Sequence, residues 1–185
     1  MDIKNKLENK NFIIKQLNNN DFNLLYSIGK NKKIWEQHPE NDRWKREKFK
    51  IFFNNGIKNI FGLYGIYDKS KNTIIGSTRY YSYSKKKKSI KIGFTFLTPE
   101  YWSSDTNLQI KTLMLGYAFN YVDNIYFDIG KKNIRSRKAI EKIGATLHLD
   151  ADIASVLYIL RFEDLKVIKL GVINEIKKNR SMEAS

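Results

Sequence analysis

Three short stretches of the chain hold residues suited to gripping anions or moving protons. The first is Trp102-Ser103-Ser104-Asp105-Thr106-Asn107, with Lys111 about one turn inside the helix that follows. A polar turn feeding a helix is a ready anion site, because the first backbone N–H groups lack intrahelical partners and point outward. Ser103 and Ser104 add hydroxyl donors, and Lys111 adds a cation. Asp105 is discordant, since a carboxylate repels an anion unless it turns away. The plainer reading is an ordinary helix cap, a role that Ser, Asp and Thr favour anyway. The second stretch is Asn133 to Arg137, where Asn133 opens and can cap a short helix and Ser136 follows three residues on. The third is Trp35-Glu36-Gln37-His38-Pro39. A histidine with its unperturbed pKa, roughly 6.5, suits proton removal near neutrality. Glu36 offers a carboxylate beside it, and Pro39 biases His38 away from helix, into a loop. Here the plainer reading is that Trp35 and His38 order the loop.

Composition removes several other chemistries. The 185 residues include no cysteine, which excludes disulfides, thiol nucleophiles and thiolate metal sites. Only His38 and His148 are imidazoles, so no metal is expected, and His148 reads as structural. No apolar run approaches the roughly 20 residues of a membrane span, and Met1 to Lys10 lacks the apolar core of a signal peptide. No membrane role and a cytoplasmic location are the expectations. The net charge is +15, a field that attracts polyanions. The lysines are scattered, however, and the one dense run, Lys85 to Lys88, suits a hairpin tip. Nucleic acid is therefore not expected as a specific partner.

The elements that must position these residues follow from periodicity. Asn11 to Leu17 reads as a first strand, and Asp21 as the cap of a helix carrying Phe22, Leu25, Tyr26 and Gly29. A second helix is expected from near Asp42 to Gly56. Asn59 to Tyr67 and Thr73 to Tyr83 read as a hairpin. Ser89 to Thr98 reads as a further strand, with Ile90, Ile92, Phe94 and Phe96 on one face. Apolar residues at Ile110, Leu113, Met114, Tyr117, Ala118 and Tyr121 form one helical stripe. Thr106 and Gln109 have capping-box spacing at its start. Val122 to Ile129 is then a strand parallel to the one before the helix. Asn133 to Ile143 is a short helix closed by Gly144. Thr146 to Leu149 and Ser155 to Phe162 form a closing hairpin, and Leu165 to Ile176 a C-terminal helix.

Ile92 to Ala145 resembles the GCN5-related N-acetyltransferase superfamily, specifically its ribosomal-protein alanine acetyltransferase-like branch. The residues that carry the likeness begin with Ile92-Gly93-Phe94-Thr95-Phe96-Leu97, Tyr101-Trp102 and Asn107. Lys111, Leu113-Met114-Leu115 and Ala118-Phe119 continue it, and Asn133, Arg135-Ser136, Ala139, Glu141-Lys142 and Gly144-Ala145 complete it. Trp35 to Pro39 and Ile75 to Tyr81 extend it upstream.

The resemblance implies an α+β fold with a central mixed, mostly antiparallel, splayed sheet flanked by helices. The acetyltransferase domain would span residues 11–163, with 164–185 a helical extension and tail. It further implies acetyl-CoA as co-substrate and direct acetyl transfer to a primary amine, on a monomer or homodimer. Trp102, Ser103, Ser104, Asp105, Thr106, Asn107 and Lys111 would face the pyrophosphate. The main chain of Phe96 and Leu97, with Asn133, Ser136 and Arg137, would take the pantetheine arm. Ser136 is the candidate proton donor to sulfur, with water as the alternative, and Glu36 or His38 the candidate base. Trp35, Glu36, His38, Tyr80 and Tyr81 would line the acceptor side. Three departures stand out: serines where relatives have glycine, Ile140 where many have tyrosine, and Lys91 where many have glutamate. They leave open a CoA binder of weakened activity, or a basic nucleic-acid-associated protein on the same fold.

Overall fold

The computed structural model describes residues 6–102, 104–149 and 154–164. The strands are β1 (Lys6–Glu8), β2 (Phe12–Gln16), β3 (Tyr64–Asp68), β4 (Thr73–Ser84), β5 (Ser89–Leu97), β6 (Asn124–Gly130), β7 (Thr146–Leu149) and β8 (Ser155–Arg161). The helices are α1 (Phe22–Gly29), α2 (Arg46–Ile57), α3 (Thr106–Ala118) and α4 (Ile134–Glu141). One sheet takes the order β1-β2-β3-β4-β5-β6-β8-β7. Every neighbouring pair is antiparallel except β5 and β6, which α3 connects in parallel, as the strand-helix-strand pattern requires.

The β5–β6 pairing is short. It runs only from Ser89 opposite Asn124 to Lys91 opposite Tyr126. Both strands continue beyond that point without pairing to each other, so the sheet splays. A bulge in β5 accompanies the splay. Arg79 and Ser77 of β4 oppose Gly93 and Phe96, so β5 spends one extra residue there, and Phe94 takes a φ of 51°. The bulge reverses the side-chain alternation. Ile90 and Ile92 enter one apolar core, whereas Phe96 enters the other and Phe94 stays 41% exposed. The expectation of all four residues on one face is corrected accordingly.

Of the two cores, the first joins the sheet to Ile110, Met114, Leu115, Tyr117 and Ala118 of α3 and to Ile140 of α4. The second joins Leu25 of α1 and Phe49, Phe52 and Phe53 of α2 to Trp35 and Phe96. Several boundaries shift for local reasons. Asn59 to Leu63 is a turn rather than strand: Asn59 Oδ1 accepts the Phe61 N–H, and Gly62 has a φ of 73°. The second helix begins at Arg46, because turns occupy the preceding residues, with Lys45 N–H bonded to Asp42 O. Asn18, not Asp21, supplies the first capping side chain, accepting the Asn20 N–H. Gln109 does not close a capping box on α3, because its Oε1 is taken by the side chains of Asn9 and Asn11. β1 was not anticipated. The C-terminal helix expected over 165–176 lies outside the described residues. No helix among the described residues is long and apolar enough to cross a membrane.

Candidate active site

Where β5 and β6 part, the sheet opens into a cleft of about 470 Å³. Phe94 to Leu97 of β5 and Asn107, Leu108 and Lys111 of α3 line one side. Phe127 to Gly130 of β6 and Asn133 and Ser136 at the start of α4 line the other. Ile34, Trp35, His38 and Arg43 contribute from the loop between α1 and α2. Two helix N-termini therefore border the same cleft, each presenting main-chain donors and a positive dipole end.

At the first of these, Ser104 acts as the cap that sequence spacing assigned to Thr106. Its Oγ donates to Tyr101 O at 2.9 Å and accepts the Thr106 N–H at 3.3 Å. Thr106 itself is buried, with Oγ1 3.0 Å from Ser104 Oγ, and does not line the cleft. Asp105 occupies the N-cap position without a side-chain cap bond, and it lines the cleft together with Ser104. Ser103 lies outside the described residues. Trp102 lines the cleft and donates Nε1–H to Leu97 O at 2.9 Å. That carbonyl is thus already engaged, while the Phe96 carbonyl faces Gly76 of β4.

At the second helix, Asn133 is only 9% exposed and accepts the Ser136 N–H at 3.1 Å, so it is both cap and cleft wall. Arg137 turns the other way, donating to Tyr158 Oη of β8 and to Lys131 O. Arg135, rather than Arg137, lines the cleft. Its guanidinium stacks 3.7 Å from the Trp102 ring centre and donates to Ile34 O at 3.2 Å.

Lys111 is not a solvated surface cation. Only 5% of it is exposed, and Nζ donates to Thr95 Oγ1 at 2.9 Å, with the Phe127 ring 5.7 Å away. Burial alone pulls its pKa down to about 8. The ammonium sits between β5 and β6, in the splay, without a carboxylate partner among the described residues.

In the loop, Trp35 is 2% exposed and donates Nε1–H to Gly29 O. His38 is packed edge-on against Trp35, and Nδ1 accepts the Glu40 N–H at 2.9 Å. Its Nε2 faces Arg43 Nη1 at 3.2 Å. Burial, then the Arg43 charge, holds the imidazole pKa down to about 4, so His38 is neutral at pH 7 and weakly basic. Glu36 is exposed and does not line the cleft. Tyr80 is corrected to a core residue: 1% exposed, with its hydroxyl donating to Met114 O at 2.7 Å. Tyr81 lies at the margin, donating to Asp128 Oδ2, which also pairs with Lys91 Nζ at 2.7 Å. Asp128 does line the cleft.

The family model described as Acetyltransferase (GNAT) domain matches residues 11–146. The chain belongs to the GNAT acetyltransferase family. Its fold agrees with solved GNAT structures at low identity. A GCN5-related N-acetyltransferase from Brucella melitensis shares 13% identity at a TM-score of 0.75, over 96% of this chain and 86% of that one. The spermidine N-acetyltransferase of Vibrio cholerae, solved with CoA and spermine, shares 13% at 0.63, over 85% and 99%. The ribosomal-protein-S5-alanine acetyltransferase of Vibrio fischeri shares 15% at 0.65, over 87% and 98%. No curated protein matches the chain.

In this GNAT domain several cleft groups escaped the sequence reading: Arg43, Arg135, Asp128 and the exposed Phe94. A signal existed for one neighbour of the cleft. Arg79 is a lone cation inside the apolar strand run Ile74 to Tyr81, and such a residue is buried with a reason or not at all.

Proposed function

We propose that this chain is an acetyl-CoA-dependent N-acetyltransferase acting on a primary amine. The observation that carries the reading is the splay between β5 and β6, bordered by the N-termini of α3 and α4. The donor chemistry fits CoA. Main-chain N–H groups at the start of α3 suit a diphosphate, and Asn133 suits the amides of the pantetheine arm. The walls from Ile92, Leu97, Ile129 and Ile140 are apolar, as an alkyl chain requires.

Transfer needs the amine neutral, the thioester carbonyl polarised and the thiolate protonated. The amine nitrogen attacks the carbonyl carbon, the carbon–sulfur bond breaks, and the nitrogen proton leaves to a carboxylate or water. Of the two carboxylates that line the cleft, Asp128 is the one on β6, and Ser136 supplies a hydroxyl in the first turn of α4. A thiol with a pKa near 8.5 leaves readily, so a strong acid is not required. His38 serves by ordering the loop around Arg43.

Identity gives the ribosomal-protein branch no advantage: the Vibrio fischeri enzyme shares 15%, against 18% for a nucleotide-linked sugar GNAT, FdhC. The acceptor is a primary amine of a protein or small molecule. Two observations favour a second reading, CoA binding without transfer: Ile140, where many relatives have tyrosine, and the carboxylate Asp105 both line the cleft. Release of free thiol from acetyl-CoA across peptides, amino acids, amino sugars and polyamines separates the two. Amine-dependent release supports transfer. Binding without any release supports the second reading.

A further inference from the structure

Beside the cleft, two arginines from different elements are buried against one ring. Arg43, in the loop before α2, and Arg79, on β4, are each 3% exposed. Both guanidinium carbons stand 4.8 Å from the centre of the Phe52 ring. Arg43 lines the cleft directly. Arg79 stacks 4.0 Å from the Phe94 ring, the half-exposed bulge residue that also lines the cleft.

Their charges are poorly matched by the protein. Arg43 pairs with Glu40 at 2.7 Å, but that carboxylate is 64% exposed and screened by solvent. Arg79 has one hydrogen bond, from Nη2 to Phe52 O at 3.1 Å, and no carboxylate partner among the described residues. The Nε atoms of both arginines are buried without a partner. His38, which faces Arg43, is neutral and compensates nothing. Burial and the Arg43 charge hold the Arg79 pKa down to about 10. A buried cation without a counter-ion is costly, and arginine is the residue suited to taking a carboxylate or phosphate from a ligand.

Building on the N-acetyltransferase reading, we propose that the acceptor amine carries an anionic group, a carboxylate or phosphate, that seats against Arg43 with the Arg79 charge behind it. A polyamine acceptor is disfavoured, because it would add like charge to this end of the cleft.

The test compares amines that differ only in charge: glucosamine 6-phosphate against glucosamine, glycine against glycinamide, and spermidine alone. Thiol release gives kcat/KM for each. The anionic member of a pair exceeds its neutral partner at least tenfold, and the preferred pair tells phosphate from carboxylate. Arg43→Gln brings that ratio close to one while acetyl-CoA still binds in calorimetry. Arg79→Gln, which leaves the Glu40 and His38 contacts of Arg43 in place, lowers the ratio at least threefold and serves if Arg43→Gln does not fold. A ratio near one in the unaltered protein overturns the proposal, as does a ratio unchanged in both variants. If no amine in the panel is acetylated, titration of inorganic phosphate and of acetate into the CoA-loaded protein decides. Heat lost in the arginine variants supports the site, and heat that persists in them, or is absent from the start, overturns it. Failure of acetyl-CoA itself to bind would instead strike the N-acetyltransferase reading.

Discussion

The Arg135 guanidinium lies 3.7 Å from the Trp102 ring centre, so one side chain spans the two lips of the splay. Trp102 follows β5, and Arg135 sits on α4, which follows β6. The same guanidinium donates to Ile34 O, and the Arg135 main chain donates to Gln37 Oε1 at 3.2 Å. Three segments distant in sequence therefore meet on Arg135. A partly desolvated cation–π contact is worth about 0.5–2 kcal/mol.

Arg135→Ala is accordingly expected to lower unfolding stability in urea by about 1–2 kcal/mol, counting the lost hydrogen bond. Arg135→Lys is expected to recover little of it, because an ammonium cannot lie flat on the indole while donating sideways to Ile34 O. Full recovery with lysine would show that charge alone matters there.

Lys111 gives a prediction about pH. Its folded-state pKa of about 8 lies below the ordinary lysine value of 10.5. Between those values the unfolded chain binds more protons, so stability rises with pH across the window. Lys111→Met removes the buried charge and is expected to raise stability at pH 7 by about 1–3 kcal/mol. The gain shrinks when the same comparison is made near pH 10. Urea unfolding of both proteins at the two pH values checks this, and a gain that grows with pH would contradict it.

His38 titrates at the other end of the scale. Its pKa is held to about 4 from 6.5 by burial and Arg43. The unfolded chain again binds more protons across that interval, so stability contributed by the neutral ring is lost as pH falls from about 6.5 to 4. His38→Gln should flatten the acid limb of the stability profile relative to the unaltered protein. A steeper acid limb in the variant would exclude the assigned cause.

Gly76 and Gly93 form a contrast on facing strands. A Cβ on Gly76 would stand 2.1 Å from Phe96 O, a main-chain atom that moves only with β5. A Cβ on Gly93 would meet the edge of the Tyr81 ring at 3.1 Å, which can give way. Gly76→Ala is expected to cost about 1–3 kcal/mol or more, and Gly93→Ala clearly less. Thermal unfolding of the two variants ranks them, and the reverse ranking would contradict the close β4–β5 approach.

Much of the scaffold was legible because its signals are periodic. The α3 stripe of Ile110, Met114, Tyr117 and Ala118 is buried as its spacing requires. Asn133 caps α4 as its residue type suggests. The bulge at Phe94 was not legible: one extra residue in register leaves no mark when the residue at positive φ is phenylalanine rather than glycine. For the same reason plain alternation puts Phe96 on the face of Ile90 and Ile92, whereas it enters the other core. Tyr80 illustrates the limit for the site, since strand position alone cannot say that its hydroxyl finds Met114 O. Arg43 and Arg135 were hidden among many surface cations, and only packing separates them from the rest.

On the N-acetyltransferase reading, the splayed cleft binds acetyl-CoA through the start of α3. Titration calorimetry of acetyl-CoA into the unaltered protein and into Ser104→Asp tests it most directly. The structure predicts saturable heat at one site, weakened at least tenfold by the added carboxylate at the helix N-terminus, with the loss reduced at high salt. No heat at high protein concentration, or equal affinity in both proteins, would contradict it.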